Sequence, residues 1–399
     1  LAGATATINT AFGSTTAGTT PFVHVIAGGT LNVNGAFAVN GTVGLAKADG
    51  GTFNLNNKAY YTGQTTVNGG TLNLNSGSAN TIAVVPTAGG ATVSRLDLNG
   101  SSATVDLKGQ NQAVGQIVSV NPLPGLGGTI TNSGALAIFT NSSQAGSSTF
   151  GGQITGAIAF NRVGTNTTTL TSANTYTGAT TVRGGTLQLR DSGSISNTAG
   201  LTLNYGTLNW DNFGLNPNGT PNPTRIAAGN PVTLQGGALT INGAGSTNTV
   251  VTLNSVTVAG GQNTINTQPY INQGSTVKLT IGNLIRNTSN RSGVNFNGFT
   301  LNNSTGSNTL GGQGLNTNSN VILSQINGVN FSASNLVNNL IGGWAVADGS
   351  AFATYDNTYG VVAMGNSYGG FTAPGFTGTD VSAALVATGN YNEIGRAHV

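Results

Sequence analysis

Apolar and polar residues alternate in short stretches along this chain. In Thr71-Leu72-Asn73-Leu74 the two leucines fall on one side of an extended strand and the polar residues fall on the other. A Gly-Gly pair precedes this stretch and predicts a tight corner, because glycine adopts a positive φ without steric cost. Val67 lies in the strand before that corner, and we predict that it points inward like the leucines. The pattern therefore predicts many short strands separated by tight turns.

The same pattern recurs along the chain. The fourteen residues 61–74 return at 176–189 with only three differences. Shorter copies, in which a glycine pair precedes an apolar–polar–apolar triplet, lie at 28–33, 50–55 and 236–241, with looser copies at 205–208 and 260–263. Neighbouring copies are about 20–24 residues apart, which suits one coil of a stacked repeat protein with three short strands and three turns. The predicted fold class is therefore all-β, a parallel β-helix (solenoid) with about 20–24 residues per coil.

The two long segments read Tyr-Thr-Gly-x-Thr-Thr-Val-x-Gly-Gly-Thr-Leu-x-Leu, and the residues 151–156 that lead into the second copy fit the same pattern. These segments resemble the autotransporter-associated β-strand repeat of bacterial surface proteins. The resemblance implies a right-handed parallel β-helix that is secreted or held at the outer membrane of a Gram-negative-type bacterium. It also implies a C-terminal translocator barrel or another anchor, which we expect to be missing from this sequence.

The sequence divides into segments of different character. Residues 1–335 are predicted to form the passenger coils, with a loop at 211–231 where four of the ten prolines lie, because Pro cannot donate into an interior ladder. Residues 336–392 are predicted to form irregular coils or a cap; the part 336–376 is richer in aromatic residues, and a glycan-binding platform of rings is the alternative there. We expect 393–399, Glu-Ile-Gly-Arg-Ala-His-Val, to be a translated sequencing adapter. The chain begins with Leu1, so we expect that a leader was removed or lies upstream.

Composition narrows the class of protein. Only 5% of the 399 residues are charged, 63 are Gly and none is Cys. Disorder needs low hydrophobicity together with a high net charge, whereas this chain is 37% hydrophobic with a net charge of +3. The cations are scattered, so we expect no nucleic-acid partner. We also expect no cofactor, because no Gly-rich phosphate loop opens a helix and thiolate metal ligands are absent.

Few residues are candidates for catalysis. The acids outside the tail are Asp49, Asp97, Asp106, Asp191, Asp211, Asp348, Asp356 and Asp380. Asp191 and Asp211 are 20 residues apart and would suit the stacked carboxylates of a glycan-cleaving β-helix, but we expect solvated turns at both. His24 is expected at an outward or edge position and forms no metal site alone. We therefore assign no catalytic, cofactor-binding or metal-binding residue.

The predicted function is that of a non-catalytic surface scaffold or adhesin-like passenger region, which contacts surface glycans or other cells through its loops; its oligomeric state is left open. One alternative is a polysaccharide-degrading β-helix enzyme, which predicts Asp, Arg and Lys gathered on one face. The other is a face of Thr and Asn ladders, for example at 165–169, that binds carbohydrate or ice. This second alternative predicts outward Thr rows in register over several coils, and the uneven repeats argue against it.

Overall fold

The structure is a computed structural model that describes residues 3–14, 20–39, 43–84, 94–143, 146–214, 219–270, 275–298, 319–349 and 351–364, and the backbone alone of 367–368 and 371–372. Within these residues the regular structure consists of β-strands and two 3-10 turns, Thr288–Asn290 and Ala333–Asn335, with no α-helix. The chain divides into two compact units, Leu1–Leu201 and Thr202–Val399. The expected adapter at 393–399 lies outside the described residues.

The strands of the first unit are short. They are β1 (Thr5–Ile8), β2 (Phe12–Ser14), β3 (Phe22–His24), β4 (Thr30–Val33), β5 (Phe37–Val39), β6 (Leu45–Ala48), β7 (Thr52–Leu55), β8 (Ala59–Tyr60), β9 (Thr65–Val67), β10 (Gly70–Leu74), β11 (Arg95–Leu98), β12 (Ala103–Asp106), β13 (Gln112–Val114), β14 (Gln116–Val118), β15 (Thr129–Thr131), β16 (Ala137–Asn141), β17 (Ser148–Phe150), β18 (Gln153–Ile154), β19 (Ile158–Val163), β20 (Thr167–Leu170), β21 (Thr180–Arg183) and β22 (Thr186–Leu189).

The second unit has longer strands and ends in hairpins. Its strands are β23 (Leu201–Asn204), which begins at the boundary, β24 (Thr207–Asp211), β25 (Val232–Gln235), β26 (Ala238–Asn242), β27 (Thr249–Gly260), β28 (Gln262–Gln268), β29 (Val277–Arg286), β30 (Gly293–Asn297), β31 (Ser319–Leu323), β32 (Gln325–Ile326), β33 (Val329–Asn330), β34 (Ala345–Ala347), β35 (Ala351–Asp356), β36 (Gly360–Ala363), β37 (Ser367–Tyr368) and β38 (Phe371–Thr372).

Successive coils of the first unit pair in parallel. One sheet runs β1-β4-β7-β10-β12-β15-β18, a second runs β3-β6-β9-β11-β14 and a third runs β2-β5-β8. Side-chain ladders join neighbouring coils across steps of 25, 22 and 19 residues from β1 to β10. The predicted β-helical solenoid is therefore confirmed, and the coil length varies because the turns between the strands differ in length.

Inward positions stack like on like. Phe53 pairs with Leu72, which pairs in turn with Val105. All three side chains are fully buried, as are Leu74 and Val67. The alternation read from the sequence therefore gave the correct inward side at these positions. Each buried aliphatic or aromatic side chain contributes about 1.5–3 kcal/mol relative to an exposed one, so these columns are the main source of cohesion between coils.

A buried cation joins the coils in each long repeat. Lys47 points inward directly beneath Val67, and its Nζ donates to the carbonyl oxygens of Ala48, Asp49 and Gly69 at 3.0, 2.5 and 2.8 Å. The carbonyl of Gly69 belongs to the Gly-Gly corner of the next coil, 22 residues further along the chain. Burial lowers the pKa of Lys47 to about 8, and Asp49 opposes that shift. The ammonium therefore stays charged at neutral pH.

The second repeat builds the same contact with arginine. Arg162 lies beneath Val182, and its Nη1 donates to the carbonyl oxygens of Val163, Gly164 and Gly184 at 2.7, 2.7 and 3.1 Å. The step from Arg162 to Gly184 is again 22 residues. Burial lowers the pKa of Arg162 to about 10, and its Nε and Nη2 have no hydrogen-bond partner among the residues that the structure describes. The Nη1 of Arg162 alone therefore donates to three backbone carbonyls, as Nζ of Lys47 does in the first repeat.

Each long repeat also contains a buried tyrosine whose hydroxyl is hydrogen-bonded to a threonine. Tyr61 bonds to Thr65 and Tyr176 bonds to Thr180, each with 2.6 Å between the hydroxyl oxygens. All four side chains are buried, and burial raises the pKa of both tyrosines far above its ordinary value. The Tyr-x-x-x-Thr spacing of the motif therefore satisfies two hydroxyls that the core would otherwise leave unpaired.

The second unit is also a parallel stack, with a neutral group at one corner. Strands β24-β26-β28-β30 pair in parallel, and β25-β27-β29 form another row. The fully buried Asn263 donates to the carbonyls of Gly260, Gly261 and Gly293 at 3.0 Å, and its Oδ1 accepts from the backbone N–H of Gly236. This neutral amide therefore donates to a glycine carbonyl of a neighbouring coil, as Lys47 and Arg162 do in the first unit.

The loop and the aromatic segment lie in the second unit. Between β24 and β25, the described residues form no strand, but Trp210 donates to the carbonyl of Asn222 at 2.9 Å and the buried Arg225 donates to the carbonyl of Asp211 at 2.8 Å. Further along, β34 pairs in parallel with β30, and β35 and β36 then pair antiparallel. The buried Tyr355 bonds through its hydroxyl to the backbone of β31. Phe376, the last aromatic residue of the segment by sequence before Tyr391, lies outside the described residues.

The corner glycines differ in what surrounds them, which allows a matched test. Gly70 and Gly77 both have positive φ, +63° and +73°, but a Cβ at Gly70 would meet the oxygen of Gly51 and Nζ of Lys47, whereas one at Gly77 would meet nothing. We expect Gly77→Ala to lower the free energy of unfolding by about 1–2 kcal/mol, the cost of left-handed backbone alone. Gly70→Ala should cost clearly more. Urea titrations followed by circular dichroism measure both, and equal losses would contradict a crowded corner.

The buried cation makes a second prediction. Arg162→Met removes the donor to three carbonyls and should lower the free energy of unfolding by about 1–3 kcal/mol, the cost of buried unpaired polar groups. Arg162→Lys should be neutral or stabilising, because one ammonium reaches the same carbonyls and the two unpartnered nitrogens disappear. Arg183→Met, at an exposed position of the same repeat, is the control. The same urea titration decides, and a loss for Arg162→Lys as large as for Arg162→Met would refute this account.

Candidate functional site: a threonine–asparagine face

One outward surface of the first unit carries a column of threonines. The parallel register places one threonine of each of six strands in line: Thr5, Thr30, Thr52, Thr71, Thr104 and Thr129. The first is exposed and the others are half-buried. None of the six hydroxyls is hydrogen-bonded to another residue that the structure describes. These hydroxyls therefore remain available to solvent or to a bound molecule.

Two columns of asparagine lie beside the threonines. In the nearer column, Asn73 donates to Asn54 at 2.6 Å and Asn54 donates to Asn32 at 2.7 Å. The farther column consists of Asn9, Asn34, Asn56 and Asn75, in which each Nδ2 donates to the Oδ1 of the preceding coil at 2.8, 2.9 and 2.9 Å. An amide has two N–H donors and two acceptor lone pairs. Each interior ladder amide therefore has one donor and one acceptor site beyond those the ladder uses.

We call the six threonines and these two columns the Thr–Asn face. Its near asparagine column continues into Asp106, which pairs with Lys108 at 3.3 Å. Burial by itself would raise the pKa of Asp106, but hydrogen bonds from the backbone N–H of Ser133 and Lys108 outweigh it and lower the pKa. The carboxylate is thus ionised and neutralised by its partner, and the face carries no net charge.

The Thr–Asn face differs from the ladder expected at 165–169. Those residues lie along one coil, and Thr168 and Thr169 are buried. The uneven repeats do not prevent rows in register either, because insertions fall in the turns and leave the strands aligned. The signal was present in the sequence as Thr-x-Asn-x-Asn at 30–34, 52–56 and 71–75.

Each aspartate in the described residues has a structural partner. The ion pairs are Arg95 with Asp97, Lys108 with Asp106 and Arg190 with Asp191, at 2.6, 3.3 and 3.2 Å, and His24 hydrogen-bonds to Asp49 at 3.0 Å. Asp211, Asp348 and Asp356 accept backbone N–H groups at turns. Burial raises the pKa of Asp97, and the hydrogen bonds and charge of Arg95 oppose the shift. These carboxylates therefore serve the fold.

Two expectations about single residues have different outcomes. His24 is exposed, as expected, and bonds to Asp49 of the next coil. The expectation of a solvated turn is wrong for Asp211, which is buried and accepts the N–H of Phe213 and of Gly214 at 2.9 and 3.1 Å. It stabilises the first turn after β24, where buried backbone donors need an acceptor.

The aromatic segment offers no open row of rings among the residues described. Tyr355 is buried, with its ring 5.1 Å from that of Phe331. Trp344 is half-buried beneath the guanidinium of Arg286, 5.4 Å from the ring centre. These two rings pack against the protein itself.

Known proteins with similar sequences point to one class. The passenger-associated-transport-repeat family model matches residues 45–74 and 161–189. Each match covers a buried cation, its tyrosine–threonine pair and the Gly-Gly corner that accepts the cation. The chain contains autotransporter passenger repeats. They account for both long segments seen in the sequence, so the resemblance inferred there is confirmed.

A longer relative extends the similarity beyond these repeats. The adhesin BmaC autotransporter of Brucella suis biovar 1 (strain 1330) is 32% identical over 220 residues, which is 52% of this chain. The matched part is 6% of that protein's own length. No solved structure matches the chain. Nowhere in the described residues is there a helix with the length and hydrophobicity that crossing a membrane requires, and no three metal-binding side chains come together there.

The farther asparagine column of the Thr–Asn face makes a third prediction. Asn9 begins its column and only accepts, whereas Asn56 both donates and accepts. Asn56→Asp should therefore lower the free energy of unfolding by about 1–3 kcal/mol at neutral pH, since a carboxylate cannot donate to Asn34. Asn9→Asp should have little effect.

The loss should depend on pH with a defined sign. A carboxyl facing an amide oxygen has a raised pKa in the folded state, so the penalty is present above that pKa and is relieved as the pH falls through it. Urea titrations of both variants at neutral pH and at about pH 4 measure this. A loss for Asn56→Asp that is independent of pH would rule out the ladder mechanism.

Proposed function

We propose that this chain is a non-catalytic, adhesin-like passenger region that is displayed at the surface of a Gram-negative-type bacterium. The observation that carries the proposal is the construction of the passenger repeats, in which side chains join each coil to the next. Buried cations and asparagine ladders join neighbouring coils, and a tyrosine–threonine pair satisfies two buried hydroxyls within a coil of each long repeat. Such a stack presents like polar side chains on successive coils of its outer surface.

The similarity to a Brucella protein named as an adhesin autotransporter supports the adhesive role. The matched part is only 6% of that protein. What we say of this chain's partners and of its anchor at the cell is therefore our own proposal. We propose that a translocator exports the chain and that an anchor holds it at the cell. We also propose that 336–392 acts as a cap, supported by the change from parallel to antiparallel pairing at β34–β36.

The contacts that the aspartate carboxylates make support a non-catalytic role. Glycoside hydrolysis needs two carboxyl groups free to act as acid and as base or nucleophile. In the described residues each aspartate is engaged by a cation, a histidine or a backbone N–H. No observation favours the polysaccharide-degrading alternative.

Display on living cells tests this proposal. The chain would be fused to a heterologous outer-membrane anchor in a non-adherent bacterium, and adherent bacteria per epithelial cell would be counted against the anchor alone. We expect a several-fold rise in adherence from many weak contacts acting together. Culture supernatants and purified chain should release no reducing sugar from a panel of polysaccharides.

Two results would count against the proposal. One is surface display, verified by antibody labelling, without any gain in adherence. The other is release of reducing sugar by the purified chain, which would restore the enzyme alternative.

A further inference from the structure

The Thr–Asn face has the properties of a binding surface for a regular polymer. Its threonine hydroxyls lack partners among the described residues, and its ladder amides have unused donor and acceptor sites. It is also stiff, because a β-branched side chain has few χ1 rotamers and each ladder amide is fixed by its neighbours. A stiff surface loses little conformational entropy when it binds.

We propose that the Thr–Asn face binds a neutral, extended β-1,4-linked glycan that lies along the threonine column. This deepens the proposed function, on which it rests, by naming the chemical class of the adhesive partner. The argument has three parts: spacing, charge and the number of contacts.

Spacing favours a partner with a regular repeat. Neighbouring coils are about 4.8 Å apart, so every second threonine recurs after about 10 Å. That distance is close to the length of one disaccharide in an extended β-1,4-linked chain, whose equivalent hydroxyls recur once per disaccharide. The asparagine positions lie two residues along the strand, about 6.7 Å to the side of the threonines. A chain between the columns would find hydroxyls on one side and amides on the other.

Charge favours a neutral partner over an anionic one. The face has no net charge, and its cation Lys108 is already paired with Asp106 at 3.3 Å. A sulfated or uronic-acid glycan would bring carboxylates or sulfates to a surface with no free positive group, and desolvating them would be unfavourable. Hydroxyl-to-hydroxyl and hydroxyl-to-amide bonds carry no such penalty.

The number of contacts compensates for their weakness. Each hydrogen bond exchanged with water contributes little by itself, and no ring lies on the face to stack on sugars. The six threonines in register over six coils supply repeated contacts, and linked weak contacts multiply. A short oligosaccharide should therefore bind poorly, whereas an insoluble polymer should bind well.

The test uses the purified full chain with microcrystalline cellulose and crystalline chitin, and measures depletion from solution. A face variant carries Thr30→Val, Thr52→Val and Thr71→Val, which keep the β-branched shape and remove three hydroxyls. The control variant carries Thr140→Val, Thr149→Val and Thr181→Val, at half-buried threonines on other sheets of the same unit. Circular dichroism and urea titration check that both variants fold.

We expect the unaltered chain and the control variant to bind at least one of the two polymers, and the face variant to bind roughly tenfold more weakly or worse. Heparin should not compete. The proposal is overturned if the unaltered chain binds neither polymer, or if both variants bind equally. It is also overturned if the chain slows ice growth and ignores both glycans, because the face would then order water instead.

The adhesion assay separates this inference from the proposed function. Suppose that the unaltered chain binds neither glycan but the displayed face variant still adheres to epithelial cells. The glycan assignment then fails and the adhesive role stands. If neither version adheres but the purified chain binds cellulose or chitin through its threonines, the inference stands and the proposed adhesion to cells fails.

Discussion

Parallel pairing in register places each side chain directly above its counterpart in the coil before, about 4.8 Å away. A side chain can therefore repeat along a column only if it is compatible with a copy of itself. Leucine and valine satisfy this by packing, as in the column that contains Leu72. Asparagine satisfies it because one amide donates while the other accepts, as Asn54 does with both neighbours. Aspartate fails the same test, and it occurs in the near column only as Asp106, where Lys108 neutralises it.

This constraint accounts for the low charge of the chain. Two like charges stacked one coil apart repel by roughly 1 kcal/mol in water and by roughly 3–4 kcal/mol at the effective dielectric of a protein surface. Repeats that carried charge on every coil would add that cost at each step. The chain is 5% charged; several of its charges are paired within a coil, as in Arg95 and Asp97, and Lys47 lies inside the stack against carbonyls. Neutral amides and hydroxyls occupy the outer columns instead.

Local alternation was sufficient to predict the strands and their inward leucines, because both depend on neighbours in sequence. The buried cations were missed, since Lys47 and Arg162 read as two among scattered surface charges. Only the register shows that each lies one coil before a glycine corner, although the equal spacing to Gly69 and Gly184 was a visible clue. From the sequence we argued against a face of threonine and asparagine ladders, and that argument failed for a similar reason. Uneven repeat lengths argue against ladders only if the extra residues disturb the strands, and here they fall between them.

The contacts that hold the coils together also fix the orientation of side chains on their outer surface. An asparagine that donates to the coil before it cannot rotate freely, so its remaining donor and acceptor sites keep a fixed direction. The threonines beside it are held by their branched side chains and by strands whose inward residues, Phe53, Leu72 and Val105, stack in register. Because each coil takes its position from the previous one, order inside the stack becomes order on its surface. The same repeats that give this chain its stability thereby give it a regular polar lattice, and the coil spacing sets the repeat that a partner must match.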